Sequence, residues 1–325
     1  MPTIAITGAS GHLGSVIINT LLQNKVCNIR AQYNSQRPPI ESDSLEWIKC
    51  GMEKDEMELL IGEAEVVIHC AAIISITGDK HGQVYKTNVV GTQNVINGCI
   101  SKNVKRLVHV SSTHALQEVP LNVVFDESRS RKTIKDFAYD YTKAKAEELI
   151  LEAIKEHNLD AIIVRPFSML GPVDYKPSLL GEAISDIAKR KVPAMVKGGY
   201  DFVDVRDVAN SIISSIEKGV KGESYNLTGK YYPIKELAKI TATIANVRPP
   251  KYVVPGFIIQ LSIPFVALQS RFTNKTPKFT KESIFVLKHG HPEMSNAKAT
   301  RVLGHTARPI ESSIKDLLYW KKNNL

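Results

Sequence analysis

The chain has 325 residues, of which 43% are hydrophobic and 23% charged, and its formal net charge is +9. This composition is that of a globular protein with a sizeable core, and it excludes an intrinsically disordered chain. Basic residues are spread along the chain rather than gathered into runs, so the charge does not favour nucleic acid as a partner. The four cysteines have no metal-binding or redox spacing, and we expect no metal. The N-terminal stretch lacks the features of a secretory signal, so we expect a cytoplasmic protein.

Strand-like and helix-like segments alternate over the first half of the chain. TIAIT predicts a strand and LGSVIINTLLQN a helix, and AEVVIHCAA is nearly all apolar, as parallel strands covered on both faces are. VKRLVHVSS predicts a further strand, FAYDYTKAKAEELILEAIKEHN a long helix, and LDAIIVRP a strand that stops at Pro166. This alternation predicts an α/β fold with a doubly wound parallel sheet, a Rossmann domain, over residues 1–166.

The pattern loosens after Pro166, where the helical segments LLGEAISDIAKRK, VDVRDVANSIISSIEKG and YYPIKELAKITATIANV follow one another. We expect a smaller, mostly helical substrate-binding region over 167–325. Some of its segments, at about 200–228, are expected to return to the sheet.

Three glycines lie between the first strand and the first helix. Gly8, Gly11 and Gly14 stand in TGASGHLG at a G-x-x-G-x-x-G spacing. Glycines at such a turn allow backbone N–H groups and the helix N-terminus to approach a pyrophosphate. The sequence therefore predicts a dinucleotide-binding loop.

Further motifs follow this loop in order: VVIHCAA, TNVVGTQNVI, VHVSSTHAL, a Tyr-x-x-x-Lys, VRPFSMLGP and FVDVRDVA. Together they resemble the extended short-chain dehydrogenase/reductase superfamily, which includes the NAD-dependent epimerase/dehydratase family. The similarity is greatest to its dihydroflavonol reductase and 3β-hydroxysteroid dehydrogenase-like group. The resemblance implies NADP or NAD as the cofactor, held by Thr7, Gly8, Ser10, Gly11, His12, Leu13, Gly14, Arg37, Cys70, Ala71, Ala72, Asn88, Ser111, Tyr141, Lys145 and Pro166.

The catalytic residues are expected to be Ser112, Tyr141 and Lys145. Residues four apart share one face of a helix, so the Lys145 ammonium would stabilise a Tyr141 phenolate and lower the pKa of that phenol. Tyr141 would then act as the general acid or base, while Ser112 orients the reacting oxygen. We set the neighbouring Tyr139 aside in this interpretation.

Cofactor choice depends on the end of the second strand, NIRAQYNSQRPP. An NAD site usually has an acidic residue there to bind the ribose hydroxyls, but no Asp or Glu occurs before Glu41. Arg37, or Arg30, could instead contact a 2′-phosphate. The sequence therefore favours NADP over NAD.

Two features favour a small hydrophobic substrate over a nucleotide sugar. Thr113 and His114 stand where the resemblance implies an Asp-Glu pair in a dehydratase, and Ser168 stands where sugar enzymes tend to have Asn. The segment 252–270 is uncharged, and we interpret it as a pocket wall, with peripheral membrane contact as the alternative and a membrane span as the least favoured reading. The candidate pocket residues are Thr113, His114, Ser168 and Met169.

The expected function is an NAD(P)-dependent oxidoreductase acting on a ketone, an aldehyde or a secondary alcohol. One alternative is a nucleotide-sugar epimerase or dehydratase with tightly held NAD. Another is a cofactor-sensing protein without turnover. The family resemblance implies a monomer or a homodimer that pairs through helices at 83–101 and 137–158.

Overall fold

A computed structural model describes residues 1–25, 27–254 and 280–324. Twelve strands occur in this part of the chain: β1 (Thr3–Thr7), β2 (Asn28–Tyr33), β3 (Leu45–Lys49), β4 (Val66–His69), β5 (Arg106–Val110), β6 (Ala161–Pro166), β7 (Ser168–Leu170), β8 (Ala194–Val196), β9 (Gly199–Asp204), β10 (Ser224–Leu227), β11 (Lys230–Pro233) and β12 (Tyr252–Val254).

The α-helices of the described residues are α1 (His12–Asn24), α2 (Lys54–Ile61), α3 (Gln83–Tyr85), α4 (Gly91–Ser101), α5 (Ala138–His157), α6 (Leu179–Ala188), α7 (Val205–Lys218), α8 (Ile234–Ile244), α9 (Lys281–Lys288), α10 (Ala297–Leu303) and α11 (Ile310–Asn324). A π-helical turn at Lys86–Val90 joins α3 to α4, and a 3₁₀ turn at Thr113–Ala115 follows β5.

Seven parallel strands form the main sheet, in the order β10-β6-β5-β4-β1-β2-β3. The order reverses between β1 and β4, and this is the switch point at which doubly wound sheets bind ligands. The predicted Rossmann architecture is therefore confirmed.

Each face of this sheet is covered by its own apolar core, because successive residues of a strand point to opposite faces. On β1, Ile4 and Ile6 pack with α1 and α7, whereas Ala5 packs with α2, α4 and α5. Burial on both faces explains why the central strands are apolar almost throughout.

The smaller region has its own sheets, with strand orders β11-β9-β7 and β12-β8. Its core joins Leu170 of β7 and Phe202 of β9 to Leu237 of α8 and Leu317 of α11. Of the strands between residues 200 and 228, β10 lies in the main sheet, whereas β9 lies in the smaller one.

The uncharged segment 252–270 falls mostly outside the described residues, apart from β12 at its start. β12 pairs in parallel with β8, and Tyr252 and Val253 are exposed. Among the helices that the structure describes, none combines the length and the apolar character that crossing a membrane requires.

Candidate functional site

The glycine loop connects β1 to α1 at the switch point of the sheet. Gly8 adopts a left-handed conformation with φ +64°, and a Cβ there would lie 2.7 Å from the backbone nitrogen of Ala71. A Cβ on Gly14 would lie 2.5 Å from the carbonyl oxygen of Gly8. Both positions therefore require glycine for close packing of the loop, the helix and the strand beside them.

The first turn of α1 suits an anionic group. Gly11 is the N-cap, no side chain caps the helix, and no acidic residue occurs in the first turn. The orphan N–H groups and the helix dipole are therefore free to meet a phosphate, which fits a dinucleotide. The side chains point elsewhere, since Leu13 is buried and His12 contacts the Pro172 carbonyl oxygen through Nε2, at 3.0 Å. Ser10 lies partly exposed in the loop.

The loop after β4, with Cys70, Ala71 and Ala72, lies against the glycine loop. The backbone N–H of Ala71 donates to Thr7 Oγ1 at 3.1 Å, and Thr7 is completely buried. Thr7 therefore holds the loop after β4 in place from its buried side, and its side chain does not face the crevice at the switch point of the sheet.

Asn88 lies in the π-helical turn and connects this loop to α5. Its Oδ1 accepts from the Ile73 backbone N–H at 2.8 Å, and its Nδ2 donates to the Ile73 carbonyl and to Thr142 Oγ1, both at 3.1 Å. Both amide hydrogens are therefore used within the protein. The structure assigns Asn88 the role of holding the loop, in contrast to the direct cofactor contact expected from the sequence.

Gln32 at the end of β2 is a site residue that sequence analysis missed. Its Oε1 accepts from the Gly8 N–H at 2.8 Å, and its Nε2 donates to the Cys50 carbonyl at 3.2 Å. The available signal was its position near the end of the second strand, where NAD sites place an acid. Arg37 is exposed nearby and forms an ion pair with Glu41 at 3.0 Å.

The tyrosine whose side chain approaches Ser112 is Tyr139, whereas the sequence analysis selected Tyr141 with Lys145. The Ser112 hydroxyl lies close enough to the Tyr139 phenol to lower the pKa of that phenol, against the larger effect of burial. Lys145 lies at the surface, with 37% of its side chain exposed and its Nζ 2.9 Å from Glu148 Oε2. Lys143, four residues after Tyr139, is only 3% exposed.

Helical geometry explains why only one of the two tyrosines approaches Ser112. Two residues along an α-helix turn the side chain by about 200°, so Tyr139 and Tyr141 cannot face the same neighbour. Both tyrosines have a lysine four residues later, and the spacing alone therefore fits either pair. Setting Tyr139 aside overlooked Lys143.

Burial shifts the pKa of both Tyr139 and Lys143. It lowers the pKa of Lys143 to about 8, against the opposing charge of Glu147, and Lys143 Nζ donates to the Val110 carbonyl at 2.7 Å. Burial raises the pKa of Tyr139 to about 12, although the nearby Ser112 hydroxyl acts in the opposite direction. At neutral pH the phenol therefore keeps its proton and the lysine is mostly charged.

A buried ion pair fastens the far side of α5 to the sheet. Glu147 accepts from Arg165 Nε at 2.7 Å and from Arg165 Nη2 at 2.8 Å, and both side chains are buried. Ser111 directly follows β5 and is buried, and its backbone N–H donates to the Val164 carbonyl at 2.8 Å. Pro166 is the last residue of β6. These contacts hold the serine strand and the tyrosine helix in register.

A pocket opens next to Ser112. Thr113 and His114 line it, as does Phe167, which the sequence analysis did not select. The remaining lining residues are Leu116, Glu118, Phe125, Val286, His289, Gly290, His291 and Met294.

The other two expected pocket residues, Ser168 and Met169, are not among the residues that line this pocket. They begin β7, and Met169 packs against the core of the main sheet. Within the ranges that the structure describes, no group of His, Cys, Asp and Glu side chains could hold a metal ion.

Comparison with known proteins identifies the family of this chain. The model of the NAD-dependent epimerase/dehydratase family matches residues 4–228. A sterol demethylase protein B from Methylococcus capsulatus is 30% identical over 98% of both chains. A putative dihydroflavonol 4-reductase from Synechocystis is 25% identical over 98% of this chain and 94% of its own. These matches confirm the resemblance expected from the motifs.

A solved structure has the same fold. The crystal structure of gox2253 superposes with a TM-score of 0.84 and 27% sequence identity, and the match covers 99% of this chain and 98% of that one.

Proposed function

This chain belongs to the NAD-dependent epimerase/dehydratase family, and from that premise we propose that it is an NAD(P)-dependent oxidoreductase. It interconverts a ketone and a secondary alcohol on a bulky apolar molecule. The observation that carries the proposal is the approach of Ser112 to the Tyr139 phenol, one helical turn from the buried Lys143, beside a largely apolar pocket that Thr113 and His114 line.

Each residue of this group has a distinct role. Ser112 orients the reacting oxygen by a hydrogen bond, and Tyr139 donates its proton to that oxygen during reduction. The Lys143 ammonium, on the same face of α5, stabilises negative charge that develops on the phenol oxygen. When bound, the nicotinamide cofactor supplies or accepts the hydride.

The cofactor's pyrophosphate would lie against the first turn of α1. NADP is the favoured form, because Gln32 rather than an acid is the next-to-last residue of β2 and the exposed Arg37 follows in the loop after that strand. The absence of a carboxylate at Gln32 removes a group that would repel a 2′-phosphate.

The substrate is proposed to be a rigid polycyclic ketone or alcohol, such as a sterol. The pocket offers Leu116, Phe125, Phe167, Val286 and Met294 as apolar surface. Such a lining suits a hydrocarbon skeleton with few polar groups and offers little to a nucleotide diphosphate. A relative that spans the whole chain bears the name of a sterol demethylase component.

The direct test follows nicotinamide absorbance with purified protein, NADPH or NADH, and a panel of steroid, flavonoid and short-chain ketones. A parallel assay follows interconversion of UDP-glucose and UDP-galactose. Oxidation of NADPH by a polycyclic ketone supports the proposal. Sugar interconversion without net cofactor turnover would support the epimerase alternative, and binding without any turnover would support a cofactor sensor.

A further inference from the structure

His114 occupies a constrained position between the catalytic group and the pocket. Its backbone N–H donates to Ser112 Oγ at 3.2 Å, which ties it to the residue that would hold the reacting oxygen. Its ring stacks on Phe167 at 5.1 Å between centroids and meets the Tyr139 ring edge-on at 6.1 Å. The imidazole is therefore fixed in place beside the proposed site of the carbonyl group.

A buried carboxylate orients the ring. Asp140 is 2% exposed, and its Oδ1 lies 3.4 Å from His114 Nδ1. The Nε2 atom, at the opposite end of the imidazole, is left for the pocket that His114 lines. A carboxylate at one ring nitrogen stabilises the imidazolium that forms when the other nitrogen takes a proton.

The groups around Asp140 leave it available for the contact with His114. Its Oδ2 has no hydrogen-bond partner among the described residues, and the nearest ammonium, Lys132 Nζ, lies 3.9 Å away. Lys132 is itself bound to Glu118, so it only partly neutralises Asp140. Glu282 of α9 adds a further carboxyl near Asp140, and burial raises the pKa of Glu282 to about 7.

We propose that His114, held by Asp140, is a second proton-transfer residue that acts on the carbon next to the substrate carbonyl. His114 Nε2 takes a proton from that carbon, and the electron pair of the broken C–H bond becomes the carbon–carbon double bond of an enol. The carbonyl π electrons move to oxygen, which takes the Tyr139 proton. The reverse steps return both protons, so no electrons are gained or lost overall.

This inference rests on the proposed function, because it uses the same oxygen-binding group. It adds a reaction that hydride transfer does not require, namely exchange of the α-hydrogen with solvent. Enolisation would allow the site to break and form bonds to the carbon next to the carbonyl group, in addition to the C–H bond of the carbinol carbon.

The test uses the full-length protein, androstanone as a saturated keto steroid, and D₂O. With NADP⁺ present no hydride is available, and deuterium entering the steroid is measured by mass spectrometry against a sample without protein. Hydride transfer is measured separately as oxidation of NADPH by the same steroid. The expected wild-type result is exchange faster than background.

The variants His114→Asn and Asp140→Asn separate proton transfer from binding. His114→Asn is expected to slow exchange by about 10²–10⁴-fold while NADPH oxidation falls by less than about tenfold. Asp140→Asn, which keeps the shape but removes the charge, should slow exchange by at least tenfold. His157→Asn, at the exposed end of α5, is the matched control and should change neither rate.

Exchange that persists in His114→Asn, or no exchange in a wild-type protein that oxidises NADPH with this steroid, overturns the inference. Equal losses of exchange and hydride transfer in His114→Asn, with a matching rise in KM, would reduce His114 to a substrate-positioning residue and also overturn it. Failure of the proposed function looks different: wild-type protein would then show no NADPH oxidation with any ketone tested.

Discussion

We expect the charge of the buried Lys143 to set an upper pH limit for the proposed ketone reduction. Burial lowers the pKa of Lys143 to about 8, so its positive charge is present below that pH and is lost as the pH rises through it. We expect kcat/KM for the ketone to fall above about pH 8, because the phenolate that forms on Tyr139 is then no longer stabilised. Lys143→Arg keeps its charge throughout this range, and its falling limb should move to higher pH at a reduced maximum rate.

Steady-state rates measured between pH 6 and 10 give the pH profiles of the wild type and of Lys143→Arg. An unchanged alkaline limb in Lys143→Arg would show that another group titrates there.

Arg37 is the residue on which the proposed preference for NADP depends. It is exposed and paired with Glu41 at 3.0 Å, so it can exchange that partner for a 2′-phosphate. We expect Arg37→Ala to raise KM for NADPH by about tenfold, the loss of one charge-assisted contact, and to leave KM for NADH unchanged. Arg248→Ala, at another exposed arginine, is the control. Equal changes for the two cofactors would remove Arg37 from the 2′-phosphate site.

At the scale of elements, substitutions of Gly14 and Gly11 separate the two functions of the turn from β1 to α1, which are close packing and phosphate binding. A Cβ on Gly14 would meet the Gly8 carbonyl oxygen at 2.5 Å and the Ala9 Cα at 2.6 Å, whereas a Cβ on Gly11 meets only the Gly8 oxygen, at 3.2 Å. We therefore expect Gly14→Ala to destabilise the fold by about 1–3 kcal/mol through overpacking.

Gly11→Ala should unfold near the wild-type temperature but bind NADPH at least tenfold more weakly, because its methyl group obstructs the pyrophosphate. Thermal melts and fluorescence titration measure the two effects. Tight NADPH binding by Gly11→Ala would contradict the proposed position of the phosphates.

The small sheet contains a buried acid, Asp201 of β9, that makes stability depend on pH. Burial raises the pKa of Asp201 to about 7, and its Oδ1 accepts from the Gly229 N–H at 2.7 Å. An aspartate in the unfolded chain ionises near pH 4, so the folded protein binds more protons between about pH 4 and 7. Its stability contribution is therefore lost as the pH rises through this window.

Asp201→Asn can still accept from Gly229 but cannot ionise. We expect its melting temperature to exceed that of the wild type by on the order of 3 °C at pH 8 and by much less at pH 4. Melting curves at the two pH values provide the measurement. A difference that does not vary with pH would mean that Asp201 is not neutral in the folded protein.

Considered as a whole molecule, the main sheet could be predicted because each central strand is an apolar run followed by a periodic helix. The glycine loop was equally predictable, since its spacing and its place after a strand carry the mechanism of phosphate binding. The short strands of the smaller region, such as β7 (Ser168–Leu170) and β8 (Ala194–Val196), leave no such pattern. A strand of three residues is too short to show the alternation of apolar and polar residues by which a strand is recognised in a sequence.

The proposed proton donor could not be chosen from spacing, because Tyr139 and Tyr141 each precede a lysine by four residues. The rotation of α5 about its axis decides which tyrosine faces Ser112, and that rotation is set by packing of the entire helix. Each lysine also has a glutamate about one turn later, and burial rather than charge distinguishes the pairs: Lys145 meets Glu148 at the surface, whereas Lys143 is buried near Glu147.

The central claim is tested most directly by comparing Tyr139→Phe with Tyr141→Phe in NADPH oxidation by the best ketone of the panel. The proposal predicts a fall in kcat of about 10²–10⁴-fold for Tyr139→Phe, the usual contribution of a general acid, with NADPH binding retained. Tyr141→Phe should keep a rate within about twofold of wild type and serves as the matched control. The opposite result, an active Tyr139→Phe and an inactive Tyr141→Phe, would contradict the assignment of the catalytic pair and restore the one suggested by the sequence.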